Sequence, residues 1–144
     1  MRKASYELDT SFRVKVDRRP FFDGQWYYHP EVEVIVIRKS CGMLCVGDRI
    51  DRYNEGDVLV LGGSLPHLFK SDPEYFQSRE DLGVETIVVH FKEDFWGKEL
   101  LLLPELRGVR GMLEMSRRGL RLRGETRGHV TRAMGHLVDA RGAA

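Results

Sequence analysis

Four side chains of types that bind ligands or metal ions occur in two short segments of the chain. Tyr27, His29 and Glu33 lie close together in the sequence, and His67 follows soon after the apolar run Val58–Leu61. The first three are separated by even numbers, so on an extended strand their side chains would point to one face. His67 is expected to face the same interior. The pattern predicts a binding site in which polar groups project from β-strands into an apolar space.

Three kinds of chemistry fit this set of residues. Two imidazoles and a carboxylate, from His29, His67 and Glu33, suit a divalent first-row metal ion with open coordination positions, and Tyr27 could add a weaker oxygen ligand. Without a metal, the same four residues would anchor a small molecule inside a barrel mouth with apolar walls. Alternatively, His29 and Glu33 pair with each other and bind nothing. The residues alone leave these alternatives open.

Motifs of catalytic nucleophiles and of nucleotide binding are missing from the sequence. It has no G-x-S-x-G, no P-loop and no G-x-G-x-x-G. His90 lies in an apolar run and is interpreted as an ordinary strand residue, so no catalytic residue is predicted.

The hydrophobic pattern changes near residue 93. Before it, short apolar stretches are separated by Gly, Pro, Asp and Asn at a spacing of roughly 8–12 residues, which is typical of a β-sandwich or β-barrel. After it, the period becomes helical. We predict one short helix from Phe95 to Leu101, a second that carries Val109, Met112 and Leu113, and a third near the C-terminus.

The last predicted helix has an apolar stripe formed by Val130, Met134, Leu137 and Val138, which have the i, i+4, i+7, i+8 spacing of an amphipathic helix. This stripe is either the surface of a homodimer or a face that packs on the barrel of the same chain. The spacing favours neither alternative.

Composition places the chain among ordinary globular proteins. It has 144 residues, 42% hydrophobic and 31% charged, which corresponds to about one domain. The net charge of +1 argues against a domain that binds nucleic acid strongly. However, nine arginines and four acidic residues follow from Glu105 onward. They form either a solvated helical face or a surface that meets DNA phosphates or a DNA-binding domain.

The location expected from the sequence is the cytoplasm. No apolar run approaches the ~20 residues that span a bilayer, and the first residues lack the apolar core of a signal peptide. Cys41 and Cys45 are expected to be reduced thiols, because about four residues of strand would hold them too far apart for a disulfide.

The two polar segments resemble the two motifs of the cupin superfamily. His29 and Glu33 match the second His and the Glu of the first motif, where Tyr27 replaces the first His. Gly56 and His67 match the Gly and the His of the second motif, while Gly62, Ser64 and Ser71 stand where that motif has Pro, Gly and Asn.

The wider chain, from about Pro20 to Gly142, resembles the N-terminal sensor domain of AraC-type transcriptional regulators. The segments that carry this resemblance, in order, are His29–Val34, Val46–Asp48, Gly56–Gly62, Leu65–His67, Val88–Phe91, Phe95–Gly97, Leu103–Leu106 and Gly119–Thr126.

This resemblance implies a mainly β fold, a cupin-like antiparallel barrel followed by two or three α-helices. It divides the chain into an N-terminal arm with the first strand (1–20), the barrel (21–92) and a helical segment (93–144). The regulators' C-terminal helix-turn-helix domain is not expected within these residues.

The implied function is effector binding and dimerisation. A small molecule, such as a sugar, would bind at Tyr27, His29, Glu33 and His67 and control DNA binding by the further domain. The competing interpretation is a metal-dependent cupin enzyme, an oxygenase, isomerase or epimerase, with a divalent ion at His29, Glu33 and His67.

Overall fold

Two β-sheets that face each other form the body of the protein. The computed structural model describes residues 2–3, 12–92 and 107–141. The strands are β1 (Arg2–Lys3), β2 (Phe12–Arg19), β3 (Tyr27–Tyr28), β4 (Val32–Lys39), β5 (Gly42–Val46), β6 (Arg49–Tyr53), β7 (Val58–Leu61), β8 (His67–Ser71), β9 (Val84–Phe91) and β10 (Leu120–Arg121). A short 3₁₀ helix, Pro73–Phe76, lies between β8 and β9.

The strand order is that of a double-sheet jelly roll. One sheet has the order β1-β3-β8-β5-β6 and the other β10-β7-β4-β9-β2. Apart from the parallel pair of β1 and β3, the paired strands are antiparallel. Cupins belong to this class of jelly rolls. The mainly β, cupin-like barrel predicted from the sequence is therefore confirmed.

Strand β4 shows why the sequence folds in this way. It lies in the middle of its sheet, between β7 and β9, and both of its faces are covered. Ile35 and Ile37 point into the barrel, whereas Val34 and Val36 point to the opposite face and join a second apolar cluster. A strand buried on both faces has a nearly continuous apolar sequence.

Two α-helices follow the barrel in the described residues, α1 (Arg107–Ser116) and α2 (Gly124–Arg141). Helix α2 covers the outer face of the sheet that contains β2, β7 and β9. Met134 and Val138 are buried in the outer apolar cluster, and Val130 and Leu137 pack against it. The apolar stripe of this helix therefore packs on the barrel of its own chain.

Both flanking segments contribute strands to the sheet. Strand β2 pairs with β9 at eight positions, from Phe12 to Arg19, and β10 pairs with β7. The body of the sheet thus extends beyond residues 21–92. Residues 4–11 of the N-terminal arm and the helix predicted from Phe95 to Leu101 lie outside the described residues.

Two further expectations concern thiols and membranes. Cys41 and Cys45 are both free, as predicted. Within the described ranges, neither helix combines the length and apolar character that a membrane crossing requires.

Candidate ligand-binding and metal-binding site

Each sheet presents a pair of candidate site residues to the barrel interior. Tyr27 on β3 lies directly opposite His67 on β8 in one sheet. Glu33 on β4 lies directly opposite His90 on β9 in the other sheet. His29 lies in the connection between β3 and β4, where the chain passes from one sheet to the other. All five side chains line one cavity.

The prediction that Tyr27, His29 and Glu33 share one strand is wrong, although they do face one interior. Strand β3 ends at Tyr28, and β4 begins at Val32 in the other sheet. Pro30 lies in this break and has no N–H with which to continue a ladder. The residues therefore meet in the cavity because they project from two facing sheets, and not because they alternate along one strand.

Three imidazoles surround one oxygen of Glu33. The Glu33 Oε1 atom lies 2.7 Å from His90 Nε2, 3.2 Å from His29 Nε2 and 3.7 Å from His67 Nε2. Only the first two distances are those of hydrogen bonds. All four residues are buried, and the His29 ring packs edge-on against both other rings.

Backbone contacts fix the tautomers of two of these histidines. The Nδ1 atoms of His29 and His67 each lie 2.9 Å from a carbonyl oxygen, that of Glu31 and that of Leu65. Because a carbonyl oxygen can only accept, both Nδ1 atoms carry the hydrogen. Both Nε2 atoms therefore face the carboxylate and the cavity, and His29 Nε2 donates to Glu33 when its ring is protonated.

This arrangement shifts the pKa values of the acid and one base in opposite directions. Burial alone would raise the pKa of Glu33, but the charge of His67 and hydrogen bonds from His29 and His90 hold it well below its ordinary value. Burial would lower the pKa of His29, but the hydrogen bond to Glu33 and its charge raise it instead. The cluster is an ion pair embedded in the barrel.

His90 is the member of the site that the sequence analysis did not find. On β9 it alternates with Val84, Thr86 and Val88, which shows that these four share a face but not which face it is. Only the register between β4 and β9, which places it opposite Glu33, brings it to the site.

The donor set fits a divalent metal ion. One ring nitrogen from each of His29 and His67 and a Glu33 oxygen all lie within 4.8 Å of one another. The Nε2 atoms of the two histidines lie 3.2 Å and 3.7 Å from Glu33 Oε1. Neighbouring ligands of an octahedral ion with bonds of ~2.1 Å are about 3 Å apart. A hydrogen bond from the other ring N–H to a carbonyl oxygen, as both histidines make here through Nδ1, is also how proteins orient metal-ligating histidines.

The cavity in front of this cluster has a volume of about 170 Å³. Its side walls are apolar and consist of Phe22, Ile35, Phe69 and Val88. Phe22 and Phe69 pack against each other with ring centroids 5.3 Å apart. Phe22 is one of the two phenylalanines that precede the first motif.

The opening of the cavity is charged. Lys15, Asp17 and Arg19 project from alternate positions of β2, and Asp23 lies in the loop that follows. Arg19 donates two hydrogen bonds to Asp17, at 3.1 Å and 2.6 Å, and its guanidinium lies 5.3 Å from the centre of the Phe22 ring. Tyr27 is half-buried nearby, and its hydroxyl lies 3.4 Å from Gln25 Oε1.

Several solved structures share parts of this architecture. A cupin 2 conserved barrel domain protein from Salinispora arenicola is 14% identical, with a TM-score of 0.43 over 60% of this chain and 67% of that chain. A mutant of oxalate decarboxylase OxdC from Bacillus subtilis is 19% identical, with a TM-score of 0.46 over 77% and 32%. ToxT from Vibrio cholerae is 12% identical, with a TM-score of 0.48 over 87% and 48%.

The fold is a cupin-like barrel. Because the identities of these three proteins are below 20% and their TM-scores below 0.5, their functions do not transfer to this chain. No protein-family model matches the sequence. No curated protein matches it either.

Proposed function

We propose that this chain is the effector-binding domain of an AraC-type transcriptional regulator, and that its effector is a small molecule bound in the barrel. The observation that carries this proposal is the cavity of about 170 Å³, which combines apolar walls with a buried polar end. This is the usual composition of a small-molecule site. The ordered sequence segments that resemble the sensor domain supply the regulatory part of the proposal.

Binding would be transmitted through the elements that line the cavity. Tyr27 belongs to β3, which pairs with the N-terminal strand β1, and Lys15 belongs to β2, which contacts helix α2. A ligand can shift these elements only if it binds one of their arrangements better than another. Homodimerisation and control of DNA binding by a further domain belong to the same proposal.

A thermal-shift screen of sugars and small organic acids tests this function. A compound that binds the native state raises the unfolding temperature, and the increase is larger at higher affinity and higher concentration. We expect at least one compound to do so for the wild type, and His67→Ala to weaken its binding. Met115→Ala is the control, because Met115 is 60% exposed and far from the cavity lining. If no compound stabilises the protein, the effector-binding proposal is wrong.

A metal-dependent enzyme is the second candidate. The convergence of His29 Nε2, His67 Nε2 and Glu33 Oε1 favours it, because both Nδ1 atoms are already engaged by carbonyl groups. A divalent ion held there would act as a Lewis acid. In this interpretation, His90 orients the Glu33 carboxylate through the 2.7 Å hydrogen bond.

Elemental analysis separates the two candidates. The sensor proposal predicts well under one equivalent of metal in protein purified without added metal, and no change in His67→Ala. Near-stoichiometric manganese, iron, nickel or zinc that is lost in His67→Ala would instead place the metal-dependent enzyme first.

A further inference from the structure

The cavity is polar at both ends and apolar between them, and this combination restricts the chemistry of its ligand. The buried end is the cluster of Glu33 and the three histidines, and the open end carries the charged residues of β2. What each end offers to a ligand can be worked out from its existing partners.

At the buried end, the group that faces the cavity and has hydrogen-bonding capacity to spare is His67 Nε2. The Nδ1 atom of the same ring donates to the Leu65 carbonyl. At 3.7 Å from Glu33 Oε1, Nε2 makes no hydrogen bond to the carboxylate. A ligand hydroxyl, which can both donate and accept, could therefore pair with it.

At the open end, Asp17 and Arg19 form a two-point ion pair. The Asp23 side chain accepts a hydrogen bond from the Gln25 N–H. Lys15 forms no ion pair among the described residues, so it is a lining cation without a counter-ion there.

Lys15 at the open end and Glu33 at the buried end are separated across one sheet. Lys15 lies opposite Val88, and Val88 lies opposite Ile35, so Lys15 is two strands away from β4. Glu33 is two residues from Ile35 along β4. With strands ~4.8 Å apart and ~3.4 Å per residue, the Cα atoms of Lys15 and Glu33 are about 12 Å apart.

The apolar part of the cavity, between its two polar ends, has about the size of one aromatic ring. The cavity of about 170 Å³ is lined in this part by the apolar side chains of Phe22, Ile35, Phe69 and Val88. An apolar protein cavity of about 150 Å³ holds a molecule of benzene. A sugar of similar size would place its ring hydroxyls against these apolar walls, where they would lose hydrogen bonds to water.

We propose that the ligand is a small aromatic hydroxy acid, with its hydroxyl hydrogen-bonded to His67 Nε2 and its carboxylate paired with Lys15. This inference rests on the proposed effector-binding function and names the chemical class of the effector. Its apolar body packs against the lining formed by Phe22, Ile35, Phe69 and Val88. Inward-pointing charges also protect edge strands such as β2 from pairing with other chains, and a binding test separates the two roles of Lys15.

Isothermal titration calorimetry in a buffer with EDTA tests the class, with 4-hydroxybenzoate, benzoate and phenol as probes. We expect 4-hydroxybenzoate to bind and each of the other two, which lacks one polar group, to bind about tenfold more weakly. D-glucose and D-xylose are expected not to bind. If phenol binds as tightly as 4-hydroxybenzoate, the assignment of the carboxylate to Lys15 is wrong. If benzoate binds as tightly as 4-hydroxybenzoate, the assignment of the hydroxyl to His67 is wrong.

Variants of Lys15 locate the carboxylate. Lys15→Met should weaken binding of 4-hydroxybenzoate about tenfold and leave phenol unchanged, while Lys15→Arg should retain most of the affinity. Lys39→Met is the matched control, because Lys39 is an exposed lysine of β4 outside the cavity. If Lys15→Met binds 4-hydroxybenzoate as the wild type does, Lys15 only protects the edge strand and the proposal is wrong.

The outcomes also separate this inference from the function on which it rests. If a sugar or another compound of the thermal-shift screen binds and the hydroxy acid does not, the ligand class is wrong and the effector-binding function stands. If none of the compounds binds, both fail together.

Discussion

At the scale of residues, the site is one ionic unit and not four independent groups. Glu33 is buried, and its Oε1 atom is shared by the Nε2 atoms of His29 and His90 at hydrogen-bond distance. A buried carboxylate without such partners would be strongly destabilising. The stability of the barrel should therefore depend on the charge state of this cluster.

The first prediction concerns pH. The pKa of Glu33 lies well below its ordinary value of 4.5, so the stability it contributes is present above that value and is lost as the pH falls through the folded pKa. The pKa of His29 is raised above 6.5, so its contribution is complete below that value and is lost as the pH rises through the folded pKa. Both contributions are complete between these two values, where we expect the cluster to contribute most.

Urea unfolding with EDTA, from about pH 3 to pH 9, measures this dependence. Glu33→Gln should lower the free energy of unfolding by about 3 kcal/mol near pH 6, because it leaves buried histidines without their counter-ion. Glu55→Gln, in an exposed turn, is the control and should follow the wild-type profile. Parallel pH profiles for the wild type and Glu33→Gln would contradict the linkage.

At the scale of elements, helix α2 is held by its own barrel. Met134 is 4% exposed within the outer apolar cluster, whereas Met115 on α1 is 60% exposed. The two methionines provide a matched pair of substitutions, because the same atoms are removed from a buried and an exposed position.

The second prediction is that Met134→Ala lowers the free energy of unfolding by about 2–5 kcal/mol, as cavity-forming substitutions do. Met115→Ala should change it by no more than about 0.5 kcal/mol. Denaturant unfolding at several protein concentrations gives both values. Destabilisation by Met134→Ala that disappears at low protein concentration would mean that a second chain, and not the barrel, covers the stripe.

Arg121 connects the C-terminal segment to the barrel. Its guanidinium lies 3.2 Å from Asp57 Oδ2 and 3.3 Å from Asp51 Oδ2, and it also donates to the Arg52 carbonyl. These contacts hold β10 against β7 and thereby position the start of α2.

The third prediction is that Arg121→Ala destabilises the protein by about 2 kcal/mol, since hydrogen bonds to charged groups contribute about this much. Arg123→Ala is the control, because Arg123 is exposed and makes no ion pair in the part of the chain that the structure describes. Hydrogen exchange of α2 should be faster in the Arg121 variant only. Similar losses of stability in both variants would indicate a general effect of charge.

At the scale of the whole molecule, the two motif segments meet beside the site. The Ser64 N–H donates to the His29 carbonyl at 2.6 Å, and a Cβ atom at Gly63 would overlap the carbonyl oxygen of Pro30. Glycine at this position allows the β7–β8 loop to lie against the β3–β4 connection. This close approach positions His29 relative to His67.

The fourth prediction is that Gly63→Ala costs about 2 kcal/mol of stability and weakens ligand binding, because two backbone segments must separate. Gly108→Ala is the control. A Cβ atom there meets nothing within 4 Å, and alanine in a helix should stabilise by about 0.5–1 kcal/mol. Thermal unfolding and calorimetry on both variants provide the measurements. Unchanged ligand binding in a destabilised Gly63→Ala variant would show that the contact does not position the site.

Local patterns in the sequence predicted the strands and helices and the mainly β class of the fold. Alternating or continuous apolar runs predicted the strands from Phe12 to Phe91, because side chains on a strand alternate with a period of two. The helical period after residue 93 predicted α2 and its apolar stripe, because side chains three or four residues apart lie on the same face of a helix. Residue types and spacing also selected Tyr27, His29, Glu33 and His67.

The contacts between these elements became known only from the folded chain. Periodicity shows which residues share a face but not which partner that face contacts, so it left open whether the stripe of α2 covers the barrel or a second chain. It also could not show that the chain changes sheets at Pro30, or that the register of β4 and β9 places His90 against Glu33. Contacts between distant segments depend on strand order and register, which are properties of the assembled sheet and not of any local pattern.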